Sequence, residues 1–225
     1  MAGRPQLVVF DVNETLSDLT PMADRFAAVG APPHLAATWF AGLLRDGFAL
    51  TLTGANPRFA EVGEGVLRQV LAAVPLERTL EDAVAAVLAG FGELAVHPDV
   101  VPGLRALTAA RHRLVTLTNG ATAVPQGLLT QAGVRDAFER LLSVTDAGAW
   151  KPARAAYEYA AAECGVPVGE ALLVAVHPWD VHGAKAAGMQ AAWINRSGGP
   201  YPGHFLSPDL VADGVDDLAT QLAVV

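Results

Sequence analysis

The sequence has a single cysteine, no long apolar run and no surplus of basic residues, and each absence excludes a class of protein. Cys164 alone cannot form an internal disulfide bond. Apolar residues make up 52% of the 225 residues, but glycine, proline or charge interrupts them before they reach the roughly 20 residues that a membrane-spanning helix requires. Lys and Arg (15) are outnumbered by Asp and Glu (23), and the net charge of −8 argues against a general nucleic-acid binder.

The first residues give no sign of a targeting segment. Residues 1–6 lead directly into a strand-like run, without the basic, apolar and small-residue regions of a signal peptide. We therefore expect an acidic, soluble, cytoplasmic protein with no membrane or nucleic-acid partner. A chain of this length fits one domain, or a core domain with one inserted module.

Short apolar runs alternate with helical patterns over much of the chain. Such runs, bounded by polar residues, are typical of buried parallel strands. They occupy residues 7–10, 114–117, 141–144 and 171–176, with a further candidate at 191–194. Helical patterns lie between them at residues 100–111, 125–132, 154–164 and 181–187. The alternation predicts an α/β fold with a doubly wound parallel sheet, formed by residues 1–16 and 97–225.

The sequence pattern over residues 17–96 predicts helices and no strand. Alanine and leucine recur with helical spacing over residues 36–50, 60–73 and 80–91, and prolines separate these segments. A helical block inserted directly after the first strand predicts a cap over the carboxyl edge of the sheet, where open α/β sheets bind ligands.

Polar residues follow four of the predicted strands. Asp11 follows the first strand and Asn119 the second; Lys151 comes shortly after the third, and Asp180 follows the fourth. Because the strands are expected to be parallel, these side chains should meet at one edge of the sheet. A carboxylate near a lysine and hydroxyl or amide donors can act as an oriented nucleophile. Asp11 alone is also compatible with a helix cap or a turn, but the four strand ends together favour a catalytic site.

Four short motifs occur in order along essentially the whole chain. They are DVNETL at residues 11–16, Thr118 with Asn119, Lys151 with Pro152, and Asp180 before GAKAAGM at residues 183–189. Each motif is weakly specific by itself, but together they resemble the four motifs of the haloacid dehalogenase superfamily. The resemblance implies a haloacid dehalogenase-like core with a helical cap directly after the first motif.

Two departures from the phosphatases of this superfamily narrow the implied activity. Phosphatases usually carry a second aspartate two residues after the nucleophile, which protonates the leaving group, whereas this chain has Asn13. They also bind Mg²⁺ through acids at the fourth motif, and Val176 stands in the place of the first acid. Displacement of halide needs neither group, so the sequence resembles the type II (S)-2-haloacid dehalogenases. This implies a hydrolase of small 2-haloalkanoic acids that uses no metal and no other cofactor.

The resemblance also implies a mechanism. Asp11 would attack the carbon that bears the halogen and form an ester, and water would then attack the Asp11 carbonyl carbon and release the 2-hydroxy acid. The residues implied in catalysis are Asp11, Thr15, Asn119, Lys151, His177 and Asp180. The residues implied in substrate binding are Asn13, Phe40, Arg45, Thr118, Tyr157 and Trp179.

The cap arginine that follows a tryptophan in the type II enzymes has no direct counterpart. Trp39 is followed by Phe40, and the nearest arginine, Arg45, lies about one and a half helical turns further on. Arg45 is therefore either a displaced anion ligand or a solvated surface residue. Phe40 and Trp39 are expected to pack cap helices, with an apolar pocket wall as the alternative.

The fourth motif also departs from the family, because Ala175 and His177 stand where members carry Ser and Asn. His177 would replace an amide that orients water, act as a base in ester hydrolysis, or bond a backbone carbonyl as a structural histidine. A metal site formed by His177, Asp180 and His182 is conceivable, although no recognised ligand spacing supports it.

Two other functions are compatible with the sequence. One is a superfamily hydrolase of another substrate, including a phosphatase with a degenerate magnesium site. The other is a non-catalytic protein that binds a small ligand, against which the retention of both Asp11 and Lys151 argues. Apolar faces on the cap helices are compatible with a homodimer, by analogy with related dehalogenases.

Overall fold

The computed structural model describes residues 4–224, which divide into two compact units. The first unit contains the described residues up to Ser17 and from Ala95 onward, and the second contains Asp18–Leu94. The second unit begins one residue later and ends two residues earlier than the insertion at residues 17–96 expected from the sequence. Within residues 4–224, no helix is long and apolar enough to cross a membrane.

The first unit is built on a six-stranded parallel sheet. Its strands are β1 (Leu7–Phe10), β2 (Leu114–Thr118), β3 (Arg140–Ser143), β4 (Ala171–Ala175), β5 (Gln190–Ile194) and β6 (Leu210–Ala212). They lie in the order β3-β2-β1-β4-β5-β6, with Val9 of β1 opposite Val115 of β2 and Leu173 of β4. The order reverses beside β1, and ligands of open α/β sheets bind outside the carboxyl ends of the strands at such a point.

Ten α-helices accompany these strands within residues 4–224. They are α1 (Met22–Ala27), α2 (Leu35–Leu52), α3 (Phe59–Ala72), α4 (Leu80–Gly92), α5 (Val100–Ala109), α6 (Ala123–Gln131), α7 (Val144–Ala147), α8 (Arg154–Glu163), α9 (Pro178–Ala187) and α10 (Val215–Leu222). The first four form the second unit, and the other six belong to the first unit, which contains the sheet.

One hydrophobic cluster joins the sheet to α5, α6 and α10. It includes Phe10 of β1, Leu104 of α5, Leu129 of α6 and Leu218 of α10. Outside this cluster, α9 packs on β4 and β5 and against α8, so that helices cover both faces of the sheet. β1, β2 and β4 are buried along their whole length, which explains their nearly continuous apolar sequence. The predicted doubly wound α/β fold is confirmed.

The sequence pattern and the structure differ at the edges of the sheet. Val144, expected to end the third strand, instead begins α7, because the Ser143 hydroxyl accepts a hydrogen bond from the backbone N–H of Thr145 and caps the helix. The pattern also does not predict β6, whose three residues are too few to form a recognisable apolar run.

The second unit packs around Trp39 of α2. The indole N–H of Trp39 donates to the carbonyl of Gly63 at 2.8 Å, and the rings of Phe26 and Phe91 pack against the indole. A Cβ at Gly63 would lie 2.9 Å from the side chain of Leu43, so the missing side chain allows α3 to approach α2. The expected helical segments 36–50, 60–73 and 80–91 correspond to α2, α3 and α4.

Candidate active site

Four buried polar side chains meet beyond the carboxyl ends of the central strands. Asp11 follows β1, Asn119 follows β2, Lys151 lies between α7 and α8, and Asp180 lies in the first turn of α9 after β4. Each of them is at most 5% exposed. The side chains that were expected at one edge of the sheet therefore lie together there. They meet beside β1, where the strand order reverses.

Lys151 lies between two aspartates. Its Nζ donates to Oδ1 of Asp11 at 2.8 Å and to Oδ2 of Asp180 at 2.6 Å. Because all three groups are buried, neither water nor salt screens these contacts effectively. Two carboxylates and one ammonium leave the group with one net negative charge.

The charges in this group act against the effect of burial on each pKa. Burial alone would raise the pKa of Asp11, but the charges of Lys151 and His177 and the hydrogen bonds from Lys151 and Thr15 lower it below the usual value. Burial alone would lower the pKa of Lys151, but the two carboxylates raise it. Burial raises the pKa of Asp180, and Lys151 offsets this only in part. Asp11 is therefore the more acidic carboxyl, and Lys151 stays protonated.

Asn119 fixes the backbone of Lys151. Its Oδ1 accepts from the N–H of Lys151 at 2.9 Å, and its Nδ2 donates to the carbonyl of Lys151 at 3.2 Å. The neighbouring turn is held by Thr118, whose hydroxyl accepts from the N–H of Gly120, and by Ser143, whose hydroxyl donates to the carbonyl of Gly120. These contacts tie the ends of β2 and β3 to the loop that carries the lysine.

Thr15 orients the second oxygen of Asp11. Its hydroxyl donates to Oδ2 of Asp11 at 2.6 Å and accepts from the backbone N–H of Val176 at 3.1 Å. Because a backbone N–H can only donate, the Thr15 hydroxyl accepts from Val176 and directs its own proton to the carboxylate. Asp11 is thus held through both oxygens, by Lys151 on one side and by Thr15 on the other.

Tyr157 of α8 holds Asp180. Its hydroxyl donates to Oδ1 of Asp180 at 2.7 Å, and burial raises the pKa of Tyr157 well above its ordinary value, so that it stays a donor. The close approach depends on Gly183, where a Cβ would lie 2.4 Å from this hydroxyl and 2.6 Å from the Cβ of Pro152. Tyr157 is fully buried and contacts this carboxylate, and its expected contact with the substrate stays a prediction.

His177 lies beside Asp11 at the start of α9. Its Nε2 is 3.2 Å from the carbonyl oxygen of Asn13, 3.5 Å from Oε2 of Glu14 and 3.9 Å from Oδ2 of Asp11. The indole of Trp179 stacks on the imidazole with ring centroids 5.0 Å apart. Burial raises the pKa of Glu14, and the charge of His177 offsets only part of that effect. An imidazole with a neighbouring carboxyl group therefore faces the aspartate.

Glu14 and Ser143 belong to this site but do not stand out in the sequence as functional residues. Glu14 lies inside the first motif, and its φ of 61° turns the backbone into the left-handed region, which a non-glycine residue rarely adopts and no sequence signal marks. Ser143 ends a strand, as do the other polar residues of the site, so the strand-end pattern that marks Asn119 could also have found it.

Phe40 and Arg45 lie on α2 in the second unit. The side chain of Arg45 is 71% exposed and its Nε donates to Oδ1 of Asp46 at 2.8 Å, which is the arrangement of a solvated surface residue. Phe40 is buried, with its ring 6.4 Å from that of Trp39. We assign no substrate contact to Arg45, and a contact between Phe40 and the substrate stays a prediction.

The metal site considered for His177, Asp180 and His182 is not formed. Across residues 4–224, no group of three or more His, Cys, Asp or Glu side chains is arranged to hold a metal ion. Nδ1 of His182 accepts from the backbone N–H of Leu206 at 3.1 Å, while both oxygens of Asp180 accept from Lys151 and Tyr157.

The doubly wound sheet with a buried Asp-Lys-Asp group at its switch point defines an α/β enzyme whose chemistry is centred on a carboxylate. Residues 5–188 match the family of haloacid dehalogenase-like hydrolases. The chain belongs to this family, and the resemblance drawn from the four motifs is confirmed.

Known dehalogenases are similar to this chain over nearly its whole length. Haloacetate dehalogenase H-2 of Moraxella sp. (strain B) is 30% identical over 97% of this chain and 98% of that protein. (S)-2-haloacid dehalogenase 2 of Pseudomonas sp. (strain CBS-3) is 29% identical over 96% of this chain and 94% of that protein. The structure of L-2-haloacid dehalogenase from Xanthobacter autotrophicus with chloropropionic acid covalently bound matches with a TM-score of 0.83 and 26% identity, over 97% of this chain and 98% of that one.

Proposed function

We propose that this protein hydrolyses the carbon–halogen bond of small 2-haloalkanoic acids through an ester on Asp11 and without a metal ion. The observation that carries the proposal is the environment of Asp11, a buried carboxylate of lowered pKa whose oxygens are held by Lys151 and Thr15. The similarity to haloacetate dehalogenase and (S)-2-haloacid dehalogenase supports a haloacid as the substrate.

In the first step, an oxygen of ionised Asp11 attacks the carbon that bears the halogen. The new C–O bond forms as the carbon–halogen bond breaks, and the halide leaves with the bonding electron pair. Burial keeps water away from the carboxylate, so that its charge is directed at the substrate. A halide needs no proton to leave, which suits a site with Asn13 in place of a second aspartic acid.

In the second step, water attacks the carbonyl carbon of the Asp11 ester. The ester bond breaks and the 2-hydroxy acid leaves with the oxygen that Asp11 supplied. That oxygen takes its proton from the base that received it from water, and Asp11 keeps the oxygen of water. The tetrahedral intermediate is negatively charged, and both donors that already contact Asp11, the ammonium of Lys151 and the hydroxyl of Thr15, are positioned to stabilise that charge.

We propose that His177 accepts the proton of the attacking water and that Glu14 stabilises the imidazolium that results. Nε2 lies 3.9 Å from Oδ2 of Asp11, near a water that approaches the ester, and it accepts the proton of that water when the imidazole carries its own proton on Nδ1. Once Nε2 holds the proton, its N–H lies among the Asn13 carbonyl oxygen and the Glu14 carboxylate, which stabilise the imidazolium as an aspartate does in a hydrolytic triad.

Asp180, Tyr157 and Asn119 act on Lys151 in this proposal. Asp180 binds its ammonium, Tyr157 fixes Asp180, and Asn119 fixes the lysine backbone. Because both oxygens of Asp180 already accept hydrogen bonds and the residue is fully buried, we give the water-activating role to His177 and a positioning role to Asp180.

The activity is tested by halide release in the presence of EDTA. We expect release from chloro- and bromoacetate and from one enantiomer of 2-chloropropionate, and a loss of roughly 10⁴-fold or more in Asp11→Asn, which keeps the shape of the side chain. An aryl phosphate with Mg²⁺ is the parallel assay. Magnesium-dependent phosphate release without halide release would show that the substrate class is wrong, and full halide release by Asp11→Asn would show that the nucleophile is wrong.

The ester is tested by one turnover in water enriched in ¹⁸O. Attack by Asp11 places the label in the Asp11 carboxylate and leaves the first molecule of hydroxy acid unlabelled. If Asp11 instead activated water for direct displacement, the label would appear in the product at once. Mass spectrometry of the peptide that contains Asp11 and of the product distinguishes the two results.

The role of His177 is tested by the stoichiometry of halide release. If His177 is the base, His177→Asn releases about one halide per active site and then stalls, because the ester forms but is not hydrolysed. If His177 only orients water, the amide of His177→Asn replaces it and turnover continues. His204→Asn, at an exposed position, is the matched control and is expected to turn over normally.

A further inference from the structure

A charged pair lies behind the turn that carries the nucleophile. Arg196 follows β5, and its Nη1 donates to Oδ1 of Asp99 at 2.6 Å while its Nη2 donates to the backbone carbonyl of Thr15 at 2.8 Å. The other oxygen of Asp99 accepts from the backbone N–H of Val215 at 2.7 Å. The pair thus joins the starts of α5 and α10 to the turn after β1.

Thr15 connects this pair to Asp11. Its carbonyl is bound by Arg196, and its hydroxyl, within the same fully buried residue, donates to Oδ2 of Asp11 at 2.6 Å. A short hydrogen bond to a carboxylate is sensitive to small displacements of its donor. Whatever fixes the Thr15 backbone therefore also fixes the proton that reaches the nucleophile.

The side chain of Arg196 is placed by these two contacts. Its two terminal nitrogens are bound in different directions, while its Nε is buried and has no hydrogen-bond partner among the described residues. An unpaired buried donor has a free-energy cost, so the two terminal contacts hold the guanidinium where its third donor cannot bond. A lysine ammonium is a single point of charge and cannot reproduce the fork of an arginine.

We infer that Arg196 and Asp99 are positioning residues for the nucleophile: Arg196, held by Asp99, fixes the carbonyl of Thr15 and thereby keeps the Thr15 hydroxyl on Asp11. Neither residue touches the reacting atoms in this assignment. The inference rests on the proposed role of Asp11, and its effect belongs to the first chemical step.

A second ion pair of similar construction provides a matched control. Lys185 binds Asp209 at 2.7 Å, and Asp209 also accepts from the backbone N–H of Ala191 at 2.8 Å, so this pair too joins a side chain to a backbone donor. The side chains of both pairs are between 17% and 31% exposed. Lys185→Met and Asp209→Asn therefore remove a comparable pair that has no contact with Thr15.

The test compares Arg196→Met and Asp99→Asn with these two controls by rapid-quench measurement of the first halide released. We expect the rate of the halide burst to fall about tenfold in the Arg196 and Asp99 variants, with the acid limb of its pH profile moved to higher pH, because loosening the Thr15 hydrogen bond raises the pKa of Asp11. The controls lose melting temperature but keep the burst rate and the pH profile. Arg196→Lys, which keeps the charge but has a single donor nitrogen, retains more of the rate than Arg196→Met.

Carbon-13 NMR of protein labelled at the aspartate carboxyl carbons separates this inference from the proposed activity. The Asp11 resonance, identified by its absence in Asp11→Asn, should titrate at higher pH in Arg196→Lys and Asp99→Asn than in the wild type, whether or not any haloacid is turned over. An unchanged Asp11 titration and burst rate in these variants, with only a lower melting temperature, would overturn the inference. A wild type that releases no halide from any haloacid would overturn the proposed function alone.

Discussion

Two carboxyl groups within the first motif differ in how readily they lose a proton. Burial would raise the pKa of Asp11, but Lys151 and the hydrogen bonds to the carboxylate lower it below the usual value. Burial raises the pKa of Glu14, the charge of His177 lowers it by less, and the charge of Asp11 raises it further. As the pH falls, Glu14 is therefore protonated while Asp11 is still anionic.

We expect this difference to separate the two chemical steps by pH. Ester formation needs only anionic Asp11, whereas ester hydrolysis also needs a charged Glu14 beside His177, so the halide burst should persist to lower pH than steady-state turnover. Rapid-quench and steady-state rates measured on the same samples check this. Glu14→Gln should slow turnover about tenfold or more and leave the burst rate unchanged. Coincident acid limbs in the wild type would contradict the assignment of Glu14.

Residue type and position along the chain were sufficient to place most of this site. Asp11, Asn119 and Asp180 are recognisable because a polar residue directly after a buried strand of a parallel sheet reaches the carboxyl edge. The contact of Arg196 with Thr15 joins positions 181 residues apart, and no local pattern encodes it. The approach of Glu14 to His177 depends on a left-handed backbone that propensities do not predict for glutamate.

At the scale of secondary-structure elements, the packing of α9 against α8 determines the position of the Lys151 ammonium. Gly183 faces the hydroxyl of Tyr157 and the ring of Pro152 so closely that a Cβ would lie 2.4 Å and 2.6 Å from them. Tyr157 in turn binds Asp180, which binds Lys151. The spacing between two helices is therefore transmitted to the charge beside the nucleophile.

Gly183→Ala should weaken both stability and catalysis. The added methyl group forces α9 away from α8 and displaces Tyr157 from Asp180, with an expected cost of about 1–3 kcal/mol in the free energy of unfolding and a lower burst rate. Gly127→Ala in α6 is the matched control, since no heavy atom lies within 4 Å of its added Cβ, and it should stabilise the protein by about 0.5–1 kcal/mol.

Urea unfolding and the halide burst are measured on both variants. If Gly183→Ala acts through Tyr157, its effect on the burst should be smaller in a Tyr157→Phe background than in the wild type, because the contact it disturbs is already absent. An alanine at position 183 that is as stable and as active as the wild type would show that the helices can separate without moving Tyr157.

The elements themselves were predictable where apolar periodicity is long or uninterrupted. β1, β2 and β4 are wholly buried, which gives each an uninterrupted apolar run. α2–α4 are 13 to 18 residues long, so their helical apolar spacing repeats often enough to be recognised. The six-residue α1 and the three-residue β6 are too short for such a pattern. At Val144 the local capping by Ser143 overrides an apolar run that by itself favours a strand.

At the scale of the whole molecule, the chain leaves the sheet unit after Ser17 and returns at Ala95. The leaving and returning segments lie side by side, because Ser17 pairs with Val96 in an antiparallel bridge and the N–H of His97 donates to the carbonyl of Leu16 at 3.0 Å. Every residue of the hydrophobic cluster that joins the sheet to α5, α6 and α10 belongs to the first unit, which contains the sheet. The ends left by removing the second unit are therefore already adjacent, and a short turn can join them.

We expect the sheet unit to fold when Asp18–Leu94 is replaced by a short Gly/Ser turn. Circular dichroism should show helix and strand, and unfolding in urea should be a single cooperative transition, because the cluster and the sheet register do not depend on the removed residues. Leu218→Ala, in the centre of that cluster, should cost about 2–5 kcal/mol in the shortened chain and a similar amount in the full chain. A shortened chain that unfolds gradually, or that does not respond to Leu218→Ala, would show that the sheet unit takes its packing from the helical unit.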